Sequence, residues 1–365
     1  LGLGEGVRLT HGGLSHQSPT WLDSNTLIYS TTDGWGPERL VRARLDGDRL
    51  REEQALFECD GGCGATAPLP NGDLLMVSSD WATPHRFERD LFKVSLSQTR
   101  GKHPVRERLT RGLRAREVDL SAAGRRATFL MADWGQTALM ELDLAAPMPP
   151  RTLLPLTDDL QLGRPRYLPD GRIVFSAQRP GGFRDLFVRD SSGQLTRLTH
   201  GPEHEISPVL VPGRPLLVYV SDVDNVRDLF SLDLVTKERR RLTRVIGGVN
   251  NPAVSPDGKR VIFETWHAEG WELAVVELEN GQLVESPESP GEEPPRYDPA
   301  PIAVEDRPYR AWEAMWPRSW VPTVRSTPES TSLAFLLLGS DAVQHHNWAV
   351  TLDWNTTEDT LGVAA

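Results

Sequence analysis

Short apolar runs recur along the chain, each bounded by polar turns: "NTLIYS" (25–30), "DLLMVS" (73–78), "RATFLM" (126–131), "RIVFSA" (172–177), "LLVYVS" (216–221) and "RVIFET" (260–265). A turn dipeptide precedes each run: Asp23-Ser24, Asn71-Gly72, Ala123-Gly124, Asp170-Gly171, Pro212-Gly213 and Asp257-Gly258. After each run comes a polar-polar-Leu-apolar segment, centred on Leu40, Leu91, Leu139, Leu186, Leu229 and Leu273, and in three copies it reads RDLF (89–92, 184–187, 227–230). An Arg-Leu-Thr stretch closes several copies, clearest at Arg8–Thr10, Arg108–Thr110, Arg197–Thr199 and Arg241–Thr243. The copies are spaced by roughly 42 to 53 residues, the period of propellers and other repeat arrays.

Each copy predicts four short strands: one around a proline (Pro19, Pro68, Pro165, Pro208, Pro252), the apolar run, the Leu segment and the Arg-Leu-Thr segment. Asn-Gly and Asp-Gly before an apolar run favour hairpins, because those turns need positive φ. The runs barely alternate, which suits strands covered on both faces, as in a blade held between two others. No stretch keeps a helical period for ten residues without Gly or Pro. The expected fold is all-β: a six-bladed β-propeller of four-stranded blades over 7–288. Val7–Thr10 is expected to supply the outer strand of the sixth blade, whose own candidate is the weaker "GQLVES" (281–286).

"NPAVSPDGKRVIFET" (251–265) and "PRYLPDGRIVFSA" (165–177) resemble the TolB-type, WD-repeat-like propeller repeat of bacteria. The third copy, "DLSAAGRRATFLMAD", is the most worn, with Asp119 read in the place of the proline. The resemblance implies a fold and says little about function.

Beyond residue 288 the repeat stops. A proline-rich acidic stretch, "PESPGEEPPRYDPAPIAVEDRP" (287–308), and the following residues read as a Pro/Trp-rich linker over 289–330. Five of the eleven tryptophans lie between Trp312 and Trp354. "TSLAFLLLGSD" (331–341) and "HNWAVTLDW" (346–354) predict a C-terminal β-hairpin, and the second puts Trp348, Val350, Leu352 and Trp354 on one face. Such alternation fits a soluble hairpin, and with aromatics at the strand ends it also fits transmembrane β-strands. Tyr309, Trp312, Pro317, Trp320, Pro322, Gly339, Asp341, His346 and Trp348 resemble the entry to the BamA-like bacterial surface-antigen barrels. That resemblance implies that 331–365 are the first strands of an outer-membrane β-barrel, truncated here.

A net charge of −11 makes a phosphate-tracking surface an unfavourable reading. Cys59 and Cys63, in "CDGGC", are expected to form a local disulfide in an oxidising compartment, a pair of reduced thiols being the alternative. No run of eighteen apolar residues predicts a membrane helix.

Catalytic signatures are missing: no Gly-x-Ser-x-Gly, His-Glu-x-x-His, phosphate loop or dinucleotide fingerprint is present. Asp222, Asp224 and Asp228 have oxygen-donor spacing and are weak candidates for calcium, but recurring Asp33, Asp80, Asp133 and Asp222 argue for turn architecture. Ligand binding in a propeller gathers near the axis, in loops preceding the innermost strands. Those loops offer His16, Gln17, Arg116, Glu117, Arg164, His204, Glu205 and Asn250 as ligand-binding candidates. His16 and His204 with Glu205 raise the alternative of a metal-dependent lyase; a propeller gating a hydrolase or peptidase domain outside the chain is another. The preferred expectation is a non-catalytic, cofactor-free periplasmic propeller in a Gram-negative bacterium, linked to an outer-membrane barrel. Its partners would be periplasmic or outer-membrane proteins or a peptide or glycan, not nucleic acid, with membrane contact only through the C-terminal segment of a longer parent.

Overall fold

The computed structural model describes residues 3–12, 15–59, 61–145, 149–284, 308–327, 330–341 and 346–364. The chain divides into two units, Leu1–Tyr297 and Asp298–Ala365. The first holds six antiparallel sheets whose innermost strands are Ser15–Trp21, Thr66–Pro68, Ala115–Leu120, Gln161–Tyr167, Glu205–Leu210 and Val249–Val254. Each innermost strand contacts the next, and the sixth returns to the first, so the sheets close a ring as six blades.

The apolar runs form the second strand of each blade, and their continuity has the expected cause. Ile28 packs with Leu74, Met76 and Phe92 of blade 2, while its neighbours Leu27 and Tyr29 pack with Ile262, Leu273 and Val275 of blade 6. Clusters of this kind fill all six gaps between blades. Alternate side chains of one strand thus enter different gaps, and both sets must be apolar.

Ring closure uses the N-terminal segment. Val7 pairs with Val275 and Arg8 with Ala274, on the outer side of Gly270–Glu277. Gln282–Val284, within the stretch that was the alternative for this place, pairs instead with Arg239–Arg241 and becomes a fifth strand of blade 5. Arg8 and Thr10 carry the polar contacts that the sixth blade needs.

Those contacts explain the recurring tetrapeptide. In blade 5, Asp228 accepts hydrogen bonds from Arg241 Nη2 (2.5 Å), Thr243 Oγ1 (2.8 Å) and the Val245 N–H (2.9 Å), while the Leu229 N–H donates to Thr243 Oγ1 (2.9 Å). Asp90, Arg108 and Thr110 repeat the arrangement in blade 2, with Arg108 Nη2 at 2.5 Å and Thr110 Oγ1 at 2.8 Å. In blade 4 Asp185 accepts from Arg197 (2.7 Å), and Thr199 accepts from the Leu186 N–H (2.9 Å). In blade 6 Glu272 takes the role of the aspartate, accepting from Arg8 (2.9 Å) and from Thr10 Oγ1. The RDLF aspartate therefore clamps the Arg-x-Thr strand of its own blade.

The second unit was expected to be a hairpin; it is a four-stranded meander, Ser319–Ser326, Thr331–Ser340, Asn347–Asn355 and Thr360–Ala364. The first of these strands falls within the stretch read as linker, where Pro317 and Pro322 masked the strand signal. Pro322 pairs opposite Phe335 on an edge strand, where a missing N–H is tolerated. The proline-rich stretch 287–307 lies outside the described residues. Several residues of the barrel-entry pattern meet here: the Tyr309 hydroxyl donates to Asp341 Oδ2 (2.7 Å), the His346 N–H donates to Asp341 Oδ1 (3.0 Å), and Trp348 covers Gly339. Burial alone would raise the Asp341 pKa, but these hydrogen bonds and the His346 ring outweigh it and hold the carboxyl at about 2.

Candidate functional site

The axis of the ring is shaped by one repeated backbone irregularity. In five innermost strands the register breaks, between Gln17 and Thr20, Arg116 and Val118, Gly163 and Arg166, Ile206 and Val209, and Asn250 and Ala253. Each break holds a residue at positive φ: Ser18 (54°), Glu117 (47°), Arg164 (46°), Ser207 (55°) and Asn251 (47°). Four of these precede a proline, which suits a bulge because the unpaired position needs no N–H. Val118 holds that place in blade 3, so Asp119, read as the proline's replacement, sits one position further on. Pro68 lies outside the pattern too, pairing with Leu74 at the end of its strand.

The bulges let an acid of one blade reach the backbone of the next. Glu264 Oε1 accepts from the Ser18 N–H (2.6 Å) and from Asn251 Nδ2 (2.5 Å), joining blades 6 and 1. The Glu117 carboxylate accepts from the Arg164 N–H and lies 3.8 Å from the Arg164 guanidinium. Asp119 Oδ2 accepts from the Tyr167 N–H (2.8 Å). Burial raises the pKa of Glu264, opposed by the Asn251 and Ser18 hydrogen bonds and by Arg164. Burial likewise raises Asp119, opposed mainly by Arg166. Arg164 is lowered by burial and by nearby Arg166, with Glu117 pulling the other way.

Beyond the bulges, toward the turns that follow the innermost strands, a cavity of about 420 Å³ opens along the axis. Its polar lining comes from Ser18, Thr20, Thr66, Asp119, Arg164, Arg166 and Asn251, with Pro19, Pro212, Pro252 and Pro256 as rigid wall. Thr20 and Thr66 hydroxyls meet at 2.7 Å across blades 1 and 2. Two guanidiniums, the Asp119 carboxyl, hydroxyls and an amide make this lining suited to carbonyl or hydroxyl groups, as of a peptide or sugar.

The candidates read from the sequence disperse. Of the eight, only Arg164 lines the cavity. Glu117 touches Arg164 from beneath, and Arg116 stands exposed at the opposite mouth. His16 is buried between blades 6 and 1, 3.0 Å from Glu272 and against Tyr29 (5.7 Å between centroids). Gln17 lies beside it in the same strand, its carbonyl accepting from Ser30 Oγ (3.3 Å). His204 donates its N–H to Asp222 (2.6 Å) and accepts from the Arg184 N–H (3.1 Å), beside Phe183. Glu205 is buried 3.3 Å from Arg239; burial pushes its pKa up to about 7 although Arg239 opposes the shift. Asn250 accepts from Arg227 (3.2 Å). Arg166, Thr20 and Asp119 were missed because they follow the bulge, and only the register shows that they face the channel.

The weak metal candidates have other partners. Asp224 and Asp228 share the Arg241 guanidinium, each at 2.5 Å, and Asp222 is engaged by His204. Among the described residues no group of three His, Cys, Asp or Glu side chains is disposed to hold a metal ion. Cys59 and Cys63 are disulfide-bonded, with 2.00 Å between the sulfurs.

No known family model matches the chain, and no curated protein matches it either. Solved structures do. TolB from Acinetobacter baumannii superposes with a TM-score of 0.55 at 19% identity over 71% of this chain. The match covers 65% of that protein, a little under two thirds of its length. A putative TolB from Agrobacterium tumefaciens gives 0.53 at 20% identity, over 64% of this chain and 83% of that one. An oligogalacturonate lyase in complex with manganese gives 0.51 at 19% identity, over 95% and 92%. Together with the six sheets, these likenesses establish a TolB-like propeller fold.

Proposed function

We propose that this chain is a non-catalytic periplasmic binding scaffold of a Gram-negative bacterium, whose propeller is linked to an outer-membrane barrel begun by the C-terminal sheet. The observation that carries the reading is the register of that sheet. Pairing puts Trp320, Pro322 and Val324, Leu333, Phe335 and Leu337, Trp348, Val350, Leu352 and Trp354, and Leu361 and Val363 on one face. The opposite face is mixed: Val321, Leu336 and Leu338 stand among Thr323, Ser332, Ala334, Ser340, Asn347, Thr351 and Asp353. Trp320 and Leu361 are 65% and 72% exposed, so the apolar face is uncovered. A uniformly apolar face with tryptophans toward the strand ends, opposed by a more polar face that keeps a few aliphatics, agrees with the lipid-and-lumen pattern of an outer-membrane barrel. An open sheet cannot satisfy its edges in lipid, so further strands would have to close it.

In the propeller, the axial cavity would receive an extended polar segment of a peptide or glycan, gripped by Arg164, Arg166 and Asn251. The TolB-like fold and the disulfide agree with a periplasmic setting. The acids that recur through the blades are committed to clamps between strands, which favours a scaffold over a catalyst.

The test places single cysteines on alternate residues of Thr331–Ser340 and Asn347–Asn355 in a protein made from the whole reading frame in Gram-negative cells. Positions 333, 335 and 352 should react only with a membrane-soluble maleimide, and positions 334, 351 and 353 with a water-soluble one. Equal water-soluble labelling of both faces would sink the barrel reading. Turnover of oligogalacturonate by the purified chain with manganese would sink the non-catalytic one.

A further inference from the structure

Four consecutive blades carry a tryptophan in the same hairpin. Trp266 of blade 6, Trp35 of blade 1, Trp81 of blade 2 and Trp134 of blade 3 all lie at the connection between second and third strands. That connection faces the end of the ring opposite the axial cavity. Their exposures are 49%, 97%, 57% and 92%, so none is used to fill a blade gap. Trp134 forms a two-residue turn with Gly135, both at positive φ (45° and 84°), between paired Asp133 and Gln136. Asn or Gly suits that position, and a bulky aromatic there is strained. Strain at a side chain that packs on nothing points to a use outside the fold.

The turns hold these indoles outward. Asp33 accepts from the Trp35 N–H (2.9 Å) and the Gly36 N–H (2.8 Å), and Asp80 accepts from the Trp81 N–H (2.7 Å). Other contacts engage the local acids: Asp80 with Arg106 (3.0 Å), Asp133 with Arg114 (2.8 Å) and Glu269 with Arg8 (3.0 Å). Arg111, Arg116 and Arg244 stand exposed at the same end, in or beside the loops that enter blades 3 and 6. Among the described residues these guanidiniums are free of direct ion pairs, although exposed Asp33, Asp158, Asp159 and Asp224 share this end of the ring.

We propose that this arc of tryptophans docks the propeller on an anionic bilayer surface, with indoles at headgroup depth and the arginines on lipid phosphates. A protein partner would want aromatics gathered at one packed centre. Aromatics spread over four hairpin tips beside cations match an extended surface that needs no complementary pocket. Among the described residues Trp35 and Trp134 stand alone, while Trp81 lies against Phe87 and Trp266 against Trp271 (each 5.3 Å between centroids). The proposal is independent of the barrel reading.

The experiment compares the full chain with Trp35→Gln/Trp134→Asn in flotation with vesicles of phosphatidylglycerol and phosphatidylethanolamine, and of phosphatidylcholine alone. Wild type and double variant share the C-terminal sheet, so its lipid affinity is common to both, and a cooperative melting transition no lower than that of the wild type verifies folding. The wild type should bind the anionic vesicles and lose affinity with salt, and the double variant should bind about tenfold more weakly or worse. Equal flotation of variant and wild type overturns the proposal, as does an absence of binding by the wild type. A photo-crosslinker at position 134 in cells should yield lipid adducts; a discrete protein adduct instead would overturn it in favour of a protein partner.

Discussion

Replacing Asp228 by alanine removes the acceptor at the centre of the best-formed strand clamp. The carboxylate is fully buried and serves Arg241 Nη2 at 2.5 Å, Thr243 Oγ1 at 2.8 Å and the Val245 N–H at 2.9 Å. Breaking a buried ion pair from one side costs about 3–5 kcal/mol. Arg241 would keep Asp224 on Nη1, at 2.5 Å, which moderates the loss. The stranded Val245 N–H adds a penalty of its own, of order 1–3 kcal/mol if water cannot reach it. The expected destabilisation is about 3 kcal/mol or more. Asp224→Ala is the control: its carboxylate is 55% exposed and Arg241 keeps Asp228, so about 0–1 kcal/mol is expected. Urea unfolding followed by far-ultraviolet circular dichroism reads both as shifts in midpoint at constant slope. A loss below about 1 kcal/mol for Asp228→Ala, or equal losses for both variants, would show that the clamp is not what holds the outer strand.

The same logic applies where the ring closes. Arg8→Ala with Thr10→Ala leaves the buried Glu272 with His16 as its remaining side-chain neighbour and should cost about 3 kcal/mol, with faster amide exchange along Gly270–Glu277; unchanged exchange there would refute closure by this segment. Glu205 titrates near 7 when folded and near 4.5 when unfolded, so the folded state binds more protons between those values. Propeller stability should therefore fall as pH rises from about 4.5 through 7, and Glu205→Gln should flatten that slope in a series of melting temperatures. Gly339→Ala would put a Cβ 2.4 Å from the Trp348 ring, displacing it from its hydrogen bond to the Met315 carbonyl (2.8 Å); near-ultraviolet dichroism should change, with a loss of about 1–3 kcal/mol. Trp134→Asn relieves a left-handed conformation that disfavours bulky residues and should raise stability by up to about 1 kcal/mol; a loss would mean that the indole packs after all.

The blades were legible because their signals are local. Asp170-Gly171 ahead of Ile173 and Asp257-Gly258 ahead of Val261 specify turn and strand within a few residues, and repetition multiplies a weak signal. The channel was not legible. Thr20, Asp119 and Arg166 face it because a bulge one or two residues earlier turns the strand, and a bulge leaves no mark in apolar periodicity. His16 and His204 looked like site residues because they precede inner strands, yet one is buried against Tyr29 and the other is held by Asp222. The fourth strand of the C-terminal sheet was missed for want of length, and the first because of its prolines.

From its sequence alone this protein is a ring of six like sheets followed by a tryptophan-rich β segment, since turn chemistry and strand patterning act between near neighbours in the chain. Tertiary structure decided that Gln282–Val284 becomes a fifth strand of blade 5, that Glu272 takes the clamp position of an aspartate, and that four separate tryptophans share one end of the ring, while it bore out the expected closure of the sixth blade by Val7–Arg8. Each of those outcomes depends on residues far apart in sequence, and only closing the ring sets them side by side.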